Sequence, residues 1–78
     1  GLAADLAEEG IRVNVVRVGV ADTETRRSQG ADYVRQLVTQ VPMRRIGTVD
    51  EVSAAILWLL SPHASYVTGA TLDVAGGL

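Results

Sequence analysis

The apolar positions change their period several times along the chain. Over residues 1 to 9, Leu2 and Leu6 fall at i,i+4, and alanines fill the other core-facing positions. The stretch predicts the end of a helix, with Gly10 where a left-handed C-cap belongs. From Ile11 to Val18 the pattern becomes nearly continuous, with valine at 13, 15, 16 and 18. Such a β-branched run predicts a parallel strand buried on both faces, ended by Gly19. Residues 19 to 29 carry no apolar period and are predicted as a polar loop. A helical period returns over Ala31 to Gln40, where Tyr33, Val34, Leu37, Val38 and Val41 form one stripe that Pro42 stops. The connector PMRRIG follows and is closed by Gly47.

The sharpest local signal is Thr48-Val49-Asp50-Glu51. It reads as a capping box, in which the Thr48 hydroxyl accepts from the Glu51 amide and the Glu51 carboxylate reaches back. The two acidic residues also suit the positive end of the helix dipole. The helix is predicted to run to about Leu60, where Ser61-Pro62 ends it. From Val52 to Leu60 every residue except Ser53 is apolar, so this helix demands cover on more than one side. After a turn-rich loop, Ala70 to Val74 predicts a second short strand followed by Gly76-Gly77. Two strands joined by a helical crossover predict a right-handed βαβ unit of an α/β sheet. Two strands alone leave their outer edges unpaired.

Composition narrows the classes. The chain has 78 residues, enough for one small domain whose core would be marginal unaided. It has no cysteine, so no disulfide or thiolate metal site compensates. Its 47% hydrophobic content is too high for disorder and more than a small monomer hides easily, which predicts a partner surface. The net charge is −2, and all seven basic residues are arginine, without a basic stripe for nucleic acid. No apolar run approaches the roughly 20 residues of a membrane span. The start Gly1-Leu2-Ala3, without methionine or a signal-peptide flank, predicts a processed chain or one cut from a longer one.

Local chemistry offers few candidates. Gly19 and Thr23 fit an ordinary turn, the glycine supplying positive φ and the threonine satisfying backbone groups. His63 lies between Ser61 and Ser65, yet no nucleophile elbow accompanies it, so an exposed loop histidine is expected. Asp5, Glu8 and Glu9 share a helical face and read as solvated rather than as a cation site. Arg26-Arg27 and Arg44-Arg45 can attract a phosphate or carboxylate. Surface solvation is expected for the first pair, and a structural bond to backbone or carboxylate for the second.

With these elements in order, the chain resembles the C-terminal third of a short-chain dehydrogenase/reductase over essentially its whole length. LAADLAEEGIRVNVV is similar to that family's last core helix and the strand after it. VGVADT resembles its Pro-Gly-x-x-x-Thr turn, with Val18 in place of proline. VPMRRIGTVDEVSAAILWLLSPHASYVTGATLDVAGG resembles its closing stretch of Arg-x-Gly connector, Glu-Val helix start, Tyr-x-Thr-Gly turn and terminal Gly-Gly. The family often has aspartate where this chain has Ala75. The Gly-rich phosphate loop has no counterpart, and Tyr-x-x-x-Lys cannot occur in a chain without lysine. Tyr33 and Tyr66 are followed four residues on by Leu37 and Ala70, and Asn14 matches a strand residue rather than the catalytic asparagine.

The resemblance implies the C-terminal βαβ portion of a Rossmann-type doubly wound parallel sheet. It implies no catalytic residue and no metal ligand within residues 1–78. It assigns Gly19, Val20, Ala21 and Thr23 to the nicotinamide end of NAD or NADP, held in the parent fold rather than by this chain alone. Residues 19–47 would form the substrate-loop region. The Val52–Leu60 helix and Ala70–Val74 strand would meet a second copy or the rest of a longer dehydrogenase chain, in a cytoplasmic protein without nucleic-acid or membrane partners. The competing expectation is a stand-alone oligomerisation or docking module derived from that fold and lacking enzymatic activity.

Overall fold

The computed structural model describes residues 1–22, 24 and 28–78. Helix α1, Leu2–Leu6, tightens into a 3-10 turn over Ala7–Glu9. Gly10 closes it at φ 75°, ψ 17°, its N–H donating to the Ala7 carbonyl at 3.1 Å. The left-handed cap expected at Gly10 is therefore present.

Strand β1, Val15–Val18, pairs in parallel with β2, Thr71–Val74, in the register Val15↔Thr71 to Val18↔Val74. Both strands are shorter than predicted, and one side chain explains most of the difference. The Asn14 amide donates to the Val67 carbonyl at 3.0 Å and accepts from the Ala70 N–H at 3.0 Å. The Val13 N–H goes to the Thr68 hydroxyl at 3.1 Å, and the Gly69 N–H to the Val13 carbonyl at 2.8 Å. Side chains thus interrupt the regular ladder before Val15 and Thr71, and Ile11–Asn14 and Ala70 drop out of the strands.

The predicted loop over 19 to 29 contains helical residues, Glu24 and Ser28. Helix α2, Ala31–Val38, ends two residues before Gln40. The chain tightens there: the Gln40 and Val41 amides donate to the Leu37 and Val38 carbonyls, and the Thr39 hydroxyl to the Gln36 carbonyl. Helix α3 covers Val49–Leu60, as its capping box and Ser61-Pro62 stop predicted.

Helix α3 packs on the sheet face that carries Val16, Leu72 and Val74, which are half-buried. The opposite face carries Val15, Arg17, Thr71 and Asp73, all exposed. The expectation of a strand buried on both faces is therefore not met. Val15 and Val18 are 53% and 47% exposed. A two-stranded sheet with one helix layer has nothing on its other side to cover Val15, and Val18, on the face of Val16 and Val74, stands at the very end of its strand. Among the described residues, the buried apolar ones are Ala21, Val41, Leu59 and Ala64. The molecule measures 49 × 19 × 19 Å with a radius of gyration of 15.4 Å, against about 11.5 Å for a compact chain of this length. These 78 residues form a small α/β unit with little interior.

Candidate functional site

The features that the sequence places near a ligand gather beyond the C-terminal ends of the two strands. Gly19 carries the ladder one step past β1, donating to the Val74 carbonyl at 3.0 Å. A Cβ there would lie 2.8 Å from the Ala75 Cβ and 2.9 Å from its Cα. Gly19 is not among the residues with positive φ, so the ordinary-turn reading is corrected. The glycine is required because two backbones approach closely, not because the chain turns left-handed.

The next residues are held by the connector. Ala21, only 7% exposed, forms an isolated parallel bridge with Gly47. The Gly47 N–H donates to the Val20 carbonyl at 2.9 Å, and the Asp22 N–H to the Gly47 carbonyl at 2.7 Å. The N–H groups of Val20 and Ala21 find no acceptor among the described residues. Thr23, the fourth predicted cofactor residue, lies outside the described residues, as do Arg26 and Arg27.

The connector is itself fixed at both ends. Val41 is buried, and a turn closes behind it with the Arg44 N–H on the Val41 carbonyl at 2.8 Å. Arg44 sits at φ 59° while its guanidinium donates to the Thr39 carbonyl. The Met43 N–H donates to the Gly76 carbonyl at 3.0 Å. Gly76, at φ 63°, has no room for a side chain, because a Cβ would meet Val41 Cγ1 at 2.8 Å. The terminal glycines thus seat the connector against the end of β2.

At the other end, Arg45 grips Glu51 with both forks, Nη1 to Oε1 and Nη2 to Oε2, each at 2.7 Å. Glu51 Oε1 also accepts from the Thr48 N–H at 2.9 Å, and the Thr48 hydroxyl from the Glu51 N–H at 3.1 Å. Bonds from Arg45 and then from the Thr48 amide hold the Glu51 carboxyl down at about 2. Arg44 and Arg45 make the backbone and carboxylate bonds expected of them.

Between turn, connector and α3 lies an open groove of about 270 Å³, with Val20, Ala21, Val52 and Leu72 on its apolar side and Arg45 and Glu51 at a charged edge. No cluster of His, Cys, Asp or Glu suited to a metal occurs among the described residues. His63 is exposed in a 3-10 turn at Pro62–Ala64. Sequence reading named Gly19, Val20 and Ala21 but gave no part to the Gly47 pairing or to the contact of Gly76 with Val41. No local pattern marks either, since their partners lie more than twenty residues away.

The parallel α/β unit, with a glycine-led turn beyond the strand ends, fits one part of a Rossmann-type parallel sheet. The family model described as Enoyl-(Acyl carrier protein) reductase matches residues 1–78, and the chain belongs to this family, among the short-chain dehydrogenases/reductases. It is 49% identical over 78 residues to "Uncharacterized oxidoreductase YgfF" of Escherichia coli strain K12, which covers 99% of this chain and 32% of the relative. It is 45% identical over 78 residues to "Glucose 1-dehydrogenase 2" of Bacillus subtilis strain 168, covering 99% of this chain and 30% of that one. A crystal structure of 3-oxoacyl-[acyl-carrier protein] reductase from Brucella melitensis superposes with a TM-score of 0.94 at 42% identity, over 99% of this chain and 29% of that one. The chain therefore spans about a third of the length of these relatives.

Proposed function

We propose that residues 1–78 serve an NAD(P)-dependent short-chain oxidoreductase as its C-terminal portion, supplying a nicotinamide-side turn, a substrate loop and an oligomer face. The observation that carries this reading is the turn after β1. It lies beyond the carboxyl ends of parallel strands, where such folds take their ligands. Its Val20 and Ala21 amides have no acceptor among the described residues, while Gly47 fixes the peptide on either side. Two adjacent donors on an anchored backbone fit an amide oxygen such as that of nicotinamide. Gly19, Val20, Ala21 and Thr23 would hold that end of the cofactor, which supplies or accepts hydride when bound.

The chemistry of a reductase needs more than this. It takes an acid, a lysine beside it and a phosphate cradle, and the 78 residues contain neither a lysine nor a Gly-rich phosphate loop. Alone, residues 1–78 are expected to orient rather than to catalyse. Residues 19–47, including α2, would cover the substrate. Relatives of similar identity carry the names of a glucose dehydrogenase and an acyl-carrier-protein reductase, so overall similarity in this segment does not name the substrate.

The oligomer face is assigned to α3 and β2. Leu57, Trp58 and Leu60 are 65%, 48% and 71% exposed on a helix with no polar residue between Val52 and Leu60 except Ser53. So much bare apolar surface beside a strand edge supports a contact with a second copy. The deciding experiment titrates NADH and NADPH, followed by nicotinamide fluorescence, into the complete chain that carries these residues, with Thr23→Val beside it. Binding weakened by Thr23→Val is the expected result. Absence of binding by either dinucleotide would overturn the reading and favour a pure assembly module.

A further inference from the structure

Two ion pairs in this molecule have the same form and different surroundings. Arg17 forks onto Asp73 at 2.8 and 3.1 Å, and Arg45 onto Glu51 at 2.7 and 2.7 Å. Both are well exposed, with side chains 70% and 50% accessible in the first pair and 49% and 45% in the second. Exposed pairs contribute little to stability, so their stabilising effect does not distinguish them. Their attachments do. Arg17 and Asp73 are directly opposite each other in a ladder whose backbone bonds already fix both strands. The pair adds no constraint that the sheet lacks.

Arg45 and Glu51 join segments that no strand ladder connects among the described residues. The single Glu51 carboxylate holds Arg45, two residues before Gly47, and the Thr48 amide, one residue after it. The Gly47 peptide groups are thereby restrained from both sides. Gly47 in turn uses its N–H and its carbonyl to hold Val20 and Asp22, the two residues that flank Ala21. The path from ion pair to turn contains only bonded neighbours and hydrogen bonds of 2.7 to 2.9 Å. A glycine, which has the widest backbone freedom, is the residue that most needs such restraint.

We infer that the Arg45–Glu51 pair is a positioning latch for the cofactor-side turn: it fixes the Gly47 peptide and through it aims the Ala21 N–H at the nicotinamide. The inference rests on the proposed function for its target, and on the hydrogen-bond geometry alone for the latch. Neither residue touches the reacting atoms. The low pKa of Glu51 keeps the latch charged at any pH where such an enzyme works. The arrangement is bidentate and planar, so lysine at position 45 cannot reproduce both contacts.

The test uses the complete chain with Arg45→Gln, Arg45→Lys and, as a matched control, Arg17→Gln. Amide hydrogen exchange at Gly47 and Asp22 reads the latch without cofactor. In Arg45→Gln both amides are expected to exchange roughly tenfold faster, and the KM for NAD(P)H to rise roughly tenfold, the effect of one well-placed hydrogen bond. With kcat preserved, that split marks lost binding geometry rather than lost chemistry. Arg45→Lys should fall between, and Arg17→Gln should match the unsubstituted chain in both readouts. Unchanged exchange at Gly47 and Asp22 in Arg45→Gln would overturn the latch, as would an equal effect from Arg17→Gln. Faster exchange in a protein that binds neither dinucleotide would leave the latch standing and overturn its nicotinamide target together with the proposed function.

Discussion

The corner beyond the strand ends and the outward face of α3 belong to the same 78 residues and are finished to different degrees. At the corner, three segments from the twenties, forties and seventies tie to one another through Gly47, Met43 and Gly76, and two of the four buried apolar residues among those described, Ala21 and Val41, lie there. On α3, Ile56, Leu57, Trp58 and Leu60 lie open to water. The difference is one of chemistry. No described buried side-chain polar atom lacks a partner, and backbone hydrogen bonds tie the corner's segments together while leaving the Val20 and Ala21 amides open. Apolar cover is not. A backbone donor needs an acceptor within about 3 Å, which a neighbouring loop can provide. A helix that is apolar all round needs another layer, which two strands cannot provide.

That contrast can be tested from its largest expected consequence downward. Trp58→Asp would place a charge on the bare helix face. In the complete chain it should weaken self-association by about 2 kcal/mol or more, about thirtyfold, seen by sedimentation across a concentration series. The fold should survive, because Trp58 is 48% exposed already. A dimer indifferent to Trp58→Asp would break the contrast, since the face would then be bare for another reason.

At the corner, Gly19→Ala forces a Cβ to within 2.8 Å of Ala75, and is expected to cost about 1–3 kcal/mol in denaturant unfolding. Combining it with Ala75→Gly should recover part of that loss, because the clash is with the Ala75 side chain as well as its Cα. Additive effects in the pair would show that the close approach is not the cause.

Thr48→Ala removes one half of the capping box, at a cost of about 1 kcal/mol. The smallest effect is expected from pH. The Glu51 carboxyl titrates at about 2 rather than the usual 4.5, held by Arg45 and then Thr48. Its folded pKa is the lower one, so its contribution is complete above about 4.5 and declines as pH falls from there towards 2. Acid unfolding of Glu51→Gln should therefore show a shallower slope in that window. An unchanged slope would mean that the carboxylate is not held as its bonds indicate.

The parts legible in the sequence were those whose partners are near in sequence. The capping box lies within four residues and was read in full, as were the Gly10 cap and the Ser61-Pro62 stop. Val52 to Leu60 announced an apolar helix that needs company. The strand limits differ from those the apolar pattern predicts because Asn14, one more strand position by propensity, spends its side chain on Val67 and Ala70. Local chemistry alone assigns Gly19 to an ordinary turn, because its steric partner, Ala75, is far along the chain and carries no mark of the contact. The family resemblance located the turn that Val20 and Ala21 form, but not the Gly47 strut beneath it.

The register of β1 on β2 also sets a timetable for synthesis. Arg17 meets Asp73 across 56 residues, and each rung of the ladder has the same separation. A ribosome adding 5–20 residues per second takes roughly 3 to 11 s to make that interval. Throughout it the valine-rich edge of β1 that will receive β2 has no partner, and an open edge of that composition invites pairing with a neighbouring nascent chain. Chaperone occupancy on translating ribosomes is therefore expected to begin as Val15–Val18 emerge and to end only once Thr71–Val74 have followed.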